Sequence, residues 1–242
     1  MNIKADVCSR GQNMKIRAVV FDIGQTLAFY RSPKWAAYYR TAFESSTSAL
    51  GLSVTEEEYD HVVSVLSKYN TRTNPREYEV SSDTIFREIL EGTSIGLEHL
   101  SDIRSGFYSY FRNDSYVYPE ADQTLSGLKR RGIPLATLSD VPYGMDNVFA
   151  LEDIKPLLQY IDLPYTSNDT GYRKPCGNGL LLIAGKLDVP VEETAFVGDE
   201  DKDILCARNA GAVSILINRT EEARDYGQDM TITALTELLD IV

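Results

Sequence analysis

Four short stretches carry side chains suited to chemistry on a phosphate or another leaving group. Ala18-Val19-Val20-Phe21 ends in Asp22, followed by Ile23-Gly24-Gln25-Thr26-Leu27. A buried strand of a parallel sheet ends where the ligand crevice opens, so Asp22 would present a carboxylate there. Such a carboxylate can attack phosphorus in line and split one hard hydrolysis into two easier steps. A second apolar run ends in Ser139-Asp140. The Ser139 hydroxyl, with loop amides, is a donor suited to a phosphoryl oxygen. Lys174 lies in Gly171-Tyr172-Arg173-Lys174-Pro175. Lysine acts on phosphate as a point charge and could also steady the Asp22 carboxylate; Arg173 is an adjacent competitor for that role. A third run, Thr194-Ala195-Phe196-Val197-Gly198, ends in Asp199-Glu200-Asp201-Lys202-Asp203. Asp199 and Asp203 offer the hard oxygens that Mg²⁺ prefers, and that ion needs only one or two carboxylates plus a substrate phosphate. It would offset the repulsion between Asp22 and an incoming phosphate. So many acids at one strand end exceed what a helix N-terminus needs. Taken singly, each feature has a plain reading as a turn former, a cap or a solvated charge.

The elements that must position these groups follow from the pattern around them. From Pro119 onward, helical and strand periods alternate. Helices are expected over 119–131, 178–187, 204–210 and 234–241, with a poorer one over 145–158 broken by Pro156. Strands are expected over 133–138, 160–163, 194–198 and 213–217. Such alternation implies an α/β fold, a doubly wound parallel sheet covered on both faces. Between residues 30 and 116 the chain is instead helical, rich in Tyr, Ser and Glu, without clear strands. Helices are expected there over 35–50, 55–69, 82–90 and 97–111. Thr55 with Glu58 makes a capping box, and Ser82 is a second expected N-cap. The resulting division is a polar tail over 1–14, an α/β core over 15–29 and 117–242, and a helical insert over 30–116. Thr26 would fix the loop after Asp22 and contact phosphate, and Gly24 permits an unusual backbone there.

Composition narrows the partners. The formal net charge of −12 argues against nucleic acid, which needs a basic stripe. It also means that a phosphate site must be made locally positive, which a bound metal ion would do. No apolar run is long enough to span a membrane. The first residues carry no signal-peptide core. Cys8, Cys176 and Cys206 are too few and scattered for a disulfide framework or a zinc site. They fit a reducing cytoplasm. Cys176 reads as a small residue at a helix start. The expected partner is a small phosphorylated molecule, met by a monomer or homodimer.

The order of these motifs resembles the haloacid dehalogenase superfamily of phosphohydrolases and their relatives. The likeness covers nearly everything after about residue 15 except the insert. It implies a Rossmann-like core with an inserted all-helical cap that closes over the crevice and selects the substrate. It also implies that Asp22 is the nucleophile and Lys174, Ser139 and Thr26 assist it, with Asp140 also at the phosphate. Asp22, Asp199, Asp203 and the backbone carbonyl of Gly24 would bind Mg²⁺. Asp199 would touch the ion directly, whereas Asp203 would reach it through water or orient Lys174. Glu200 and Asp201 would be bystanders. Most phosphatases of this superfamily carry a second Asp two residues after the nucleophile, and here that position is Gly24. General acid–base help is worth ~10²–10⁴-fold. Three explanations stay open. The leaving group needs no acid; a cap residue such as His61, Glu77, Glu79 or a tyrosine, or a metal-bound water, replaces it; or the reaction is C–X cleavage of the dehalogenase or phosphonatase kind. Dehalogenases generally lack the metal-binding acids kept here, and phosphonatases need a cap lysine, for which only Lys34 and Lys68 are present. A weak phosphate-binding or regulatory protein is the non-enzymatic rival.

Overall fold

The computed structural model describes residues 15–30, 38–111 and 115–242. Six strands form one parallel sheet: β1 (Ala18–Phe21), β4 (Leu135–Ser139), β5 (Leu163–Thr166), β6 (Thr194–Gly198), β7 (Val213–Ile217) and β8 (Met230–Ile232). Their spatial order is β5-β4-β1-β6-β7-β8. From β1 the chain builds outward through β4 and β5, then returns to the other side of β1 with β6, β7 and β8. The order therefore reverses at β1, which is where an open parallel sheet leaves a crevice at its carboxyl end.

Side-chain alternation explains why both faces are covered. Val19 and Phe21 of β1, Ala195 and Val197 of β6, and Val213, Ile215 and Ile217 of β7 join one apolar cluster with Leu125 and Leu128. The latter two come from helix α5 (Pro119–Arg130). The intervening residues Val20, Ala136, Leu138 and Phe196 face the opposite cluster, which holds Leu180 and Ile183 of α8 (Asn178–Lys186) and Cys206 and Ala207 of α9 (Asp201–Ala210). A period of two thus sorts one set of strands onto two helical layers.

The insert contains α1 (Tyr39–Ser48), α2 (Glu56–Tyr69), α3 (Ser82–Glu91) and α4 (Leu100–Phe111). Phe43, Leu66, Phe86, Ile89, Phe107 and Tyr108 form its apolar centre. Val141, Tyr143 and Met145 join that centre from the loop after β4. The Tyr108 hydroxyl donates to the Tyr143 carbonyl at 2.7 Å. Insert and core are therefore packed together through a loop next to Ser139-Asp140.

Several expected spans are refined. Two strands at the insert's edges, β2 (Ala28–Tyr30) and β3 (Ser115–Val117), pair antiparallel. They are only three residues each, too short for a period to show. β8 was not expected for the same reason. The strand expected over 160–163 lies at Leu163–Thr166, paired with β4. The poor stretch over 145–158 divides into α6 (Asn147–Ala150) and a 3-10 segment, Glu152–Tyr160, that tolerates Pro156. A four-residue helix, α7 (Ser167–Thr170), follows β5, and α10 (Leu238–Ile241) ends the chain after a 3-10 turn. The Thr55–Glu58 capping box is formed, with Glu58 N donating to Thr55 Oγ1 at 3.2 Å and Thr55 N to Glu58 Oε2 at 2.6 Å. Ser81, not Ser82, caps α3, because its hydroxyl is the one that reaches the Thr84 amide, at 3.2 Å. The expected tail over 1–14 and part of the first expected cap helix lie outside the described residues.

Candidate active site

Three strand ends and one loop meet at the point where the sheet order reverses. Asp22 follows β1 directly, its amide donating to Val197 O of the neighbouring β6 at 2.9 Å. Asp22 is buried, at 6% exposure. Lys174 Nζ lies 3.0 Å from Asp22 Oδ1 and 2.6 Å from Asp203 Oδ1, as close ion pairs. Oxygens of Asp22, Asp199 and Asp203 all lie within 4.8 Å of one another.

Local sequence explains how each side chain gets there. Asp199 follows β6, and Asp203 sits in the first turn of α9, where its Oδ2 accepts the Glu200 amide at 2.9 Å. That fold-back needs Gly198: a Cβ there would come within 2.4 Å of the Asp203 carboxylate. The loop after Asp22 turns tightly, with the Leu27 and Ala28 amides both donating to Ile23 O at 2.9 and 3.0 Å. Gln25 takes φ 53 in that turn, a left-handed conformation costly for any residue but glycine. Thr26 is fully buried and its hydroxyl has no partner among the described residues. Its carbonyl accepts from Arg219 at 3.2 Å, and Arg219 stacks 3.5 Å from the Tyr118 ring. Sequence reading did not single out Arg219; it lies just past β7, outside the motifs.

The electrostatics are those of a site with too much negative charge. Burial, then Asp22 and Asp203, push the Asp199 carboxyl up to about 7. Burial also pushes Asp203 up to about 6 against the pull of Lys174. Burial alone would lower Lys174, but Asp203 and Asp22 hold it well above the ordinary lysine range, so it stays charged. Three carboxylates face one ammonium. This donor set of hard oxygens, with its surplus negative charge, fits a divalent cation such as Mg²⁺.

The remaining expected residues fall into place or elsewhere. Ser139 ends β4, beside β1, half-buried. The Asp140 side chain is engaged elsewhere: its Oδ1 accepts the Lys174 amide at 3.1 Å. It positions the Lys174 main chain instead. Arg173 does not compete with Lys174, because its guanidinium turns away to Glu79 and the Val141 carbonyl. Glu200 bonds Arg72 of the insert at 3.0 Å and Lys202 at 2.8 Å. Burial pushes Glu200 up, but these two cations outweigh it and hold it down to about 2.

Of the expected substitutes for the missing acid, His61 and Glu79 are already engaged by other partners. His61 Nε2 lies 3.0 Å from the Glu88 carbonyl, within the insert. The Glu79 carboxylate is occupied by Arg173 and Ser167. Glu77 is exposed, and its carbonyl accepts the Arg173 amide at 2.8 Å. Lys68 pairs with Glu88 on the insert surface at 2.7 Å, and Lys34 lies outside the described residues. Beside Gly24 is Tyr30, 3.6 Å from where a Cβ would sit. The Tyr30 hydroxyl donates to Asp153 at 3.0 Å, and burial together with Asp153 raises its pKa, so the phenol keeps its proton.

Comparisons with known proteins agree with this geometry. A haloacid dehalogenase-like hydrolase family matches residues 16–211. The chain is 25% identical over 237 residues to phosphoglycolate phosphatase of Escherichia coli strain K12, covering 93% of this chain and 91% of that protein. It is 29% identical over 147 residues to ribulose-1,5-bisphosphate 5-phosphatase of Halopiger xanaduensis, covering 56% of this chain and 61% of that one. Among solved structures, 2-haloacid dehalogenase of Pseudomonas syringae pv. Tomato DC3000 shares the fold with a TM-score of 0.67, at 19% identity over 93% of this chain and 97% of that one. No helix among the described residues is long and apolar enough to cross a membrane. With its parallel core, inserted helices and buried carboxylate–lysine cluster, this hydrolase belongs to the haloacid dehalogenase-like hydrolase family.

Proposed function

We propose that the protein is a Mg²⁺-dependent phosphatase acting on a small phosphorylated metabolite. One observation carries this reading: Asp22 lies 3.0 Å from Lys174 while its oxygens cluster with those of Asp199 and Asp203. A carboxylate so placed has a counter-charge for an incoming phosphate and ligands for a divalent ion. Asp22, Asp199, Asp203 and the Gly24 carbonyl would hold that ion, which would supply positive charge to the phosphoryl oxygens. An Asp22 oxygen attacks phosphorus and forms the aspartyl-phosphate. The bond to the leaving oxygen breaks, and that oxygen keeps the electron pair. Water then attacks phosphorus, the bond from Asp22 to phosphorus breaks to restore the carboxylate, and the water gives up a proton to solvent, from which the departed oxygen takes one. Lys174 offsets the charge of both Asp22 and the phosphoryl group, held in place by Asp203 and, through its amide, by Asp140. The Ser139 and Thr26 hydroxyls are the proposed donors to phosphoryl oxygens; that of Thr26 is buried and otherwise unpaired among the described residues.

Gly24 favours leaving groups that depart without a proton. C–X cleavage of the dehalogenase or phosphonatase kind is the second reading, and the fold likeness to a dehalogenase is its support. The retained pair Asp199 and Asp203 favours phosphate. The test is turnover of 2-phosphoglycolate, ribulose 1,5-bisphosphate, an acyl phosphate and an aryl phosphate, with Mg²⁺ and with excess chelator. A 2-haloacid and phosphonoacetaldehyde run beside them. Phosphate release that needs Mg²⁺ supports the proposal; halide release or full activity in chelator overturns it.

A further inference from the structure

Arg173 immediately precedes Lys174 and is itself 4% exposed. Its guanidinium contacts Glu79 Oε2, and the Glu79 side chain is equally buried. The same guanidinium donates to Val141 O at 2.8 Å and to Thr71 Oγ1 at 3.1 Å. Glu79 also accepts from Ser167 Oγ at 2.6 Å, and from Arg76 at 3.2 Å. Main chains join the same way: Arg173 N donates to Glu77 O at 2.8 Å and Glu79 N to Gly171 O at 3.0 Å. One buried cluster therefore joins the helical insert to the two loops that carry Asp140 and Lys174. Lys174 is held from both sides, its own amide by Asp140 and its neighbour Arg173 by the insert.

We infer that Glu79 is a positioning residue, a latch through which docking of the insert sets Lys174 against Asp22. The physical basis is that Glu79 is the close carboxylate of Arg173, while Asp140 Oδ2 lies farther off, at 3.8 Å. Once the insert carries Glu79 away, the guanidinium loses its short ion pair and its loop is no longer fixed in the same place. Closure of the insert and assembly of the catalytic charges then become one event. The inference concerns the site proposed above, but its test does not depend on turnover.

The test uses the full chain with Glu79→Gln and Glu79→Ala, and Glu88→Ala as a control that removes an exposed ion pair of the insert, Lys68–Glu88. Peptide mass spectrometry follows acylation of Lys174 by acetic anhydride, and thermal unfolding reports the fold. In folded Glu79→Gln, Lys174 should be acylated about tenfold faster or more, as local opening becomes easier. With an aryl phosphate and Mg²⁺, kcat should fall ~10- to 100-fold, the cost of a small misplacement, while KM changes far less. Glu88→Ala should change neither. If Glu79→Ala fails to fold, Glu79→Gln decides alone. Unchanged acylation of Lys174 in folded Glu79→Gln would overturn the latch. Faster acylation in a protein that hydrolyses no phosphate ester would keep the latch and remove the phosphatase reading.

Discussion

Asp22 and Lys174 hold opposite charges in contact, and the residue two positions past Asp22 has no side chain. Gly24 thus leaves this loop unable to donate a proton to a departing alkoxide. In single turnover, the phosphorylation rate should fall steeply as the leaving-group pKa rises across a series of phosphate esters. Gly24→Asp should recover part of the alkyl-ester rate, because a Cβ there meets only Tyr30, at an ordinary 3.6 Å. Similar rates for alkyl and aryl esters would mean that another group supplies the proton. Asp199 and Asp203 give a second prediction. Both carboxyls are raised, to about 7 and about 6, so the folded metal-free protein binds protons more tightly than the unfolded chain. Their contribution to stability is therefore fully present at low pH and is lost as pH rises through those values. Binding Mg²⁺ must displace these protons, so the rise in Tm on adding Mg²⁺ should be larger at pH ~8 than at pH ~5.5. An equal rise at both would contradict the assignment of these acids as ligands. At this scale the sequence was legible where a charged residue closes an apolar run, as with Asp22 and Asp199. It was not legible for Asp140, whose partner is a backbone amide far along the chain, nor for Tyr30 and Arg219, which no motif marks.

The strands and helices succeed or fail as signals by length. β1, β6 and β7 are central and buried, and their Val, Ile and Phe runs stand out. β2, β3 and β8 span three residues each and carry no period to read. Helix α2 announces itself through Thr55 and Glu58, whereas α3 starts at Ser82 as expected but is capped by Ser81, because Ser81 and Ser82 are both good caps. The turn from β6 into α9 carries a specific dependence. Asp203 lies against Gly198, and a methyl group there would press on its carboxylate. Gly198→Ala should therefore displace Asp203 from Lys174 and cut kcat by ~10²-fold, as misplacement of a catalytic group does. Far-UV circular dichroism should remain close to wild type. Wild-type kcat in Gly198→Ala would show that the position of Asp203 does not matter to the reaction.

For the whole molecule, topology explains why distant motifs meet. Order reversal at β1 brings residues 22, 139 and 199 to one end of the sheet, and the loop at 171–175 adds Lys174. Alternating strand and helix patterns already implied this parallel arrangement. The placement of the insert did not follow from pattern, because it depends on contacts between Glu77–Glu79 and Gly171–Arg173 and on Val141, Tyr143 and Met145 packing into the insert. Such long-range pairs leave no local trace. The central claim is that Asp22 takes the phosphoryl group. The most direct measurement is rapid acid quench of a single turnover with a phosphate ester and Mg²⁺, followed by peptide mass spectrometry. The account predicts a transient phosphoryl group on Asp22 that forms and decays at rates consistent with turnover and is absent in Asp22→Asn. Turnover of the ester with no phosphoryl group on Asp22, and its persistence in Asp22→Asn, would contradict the account.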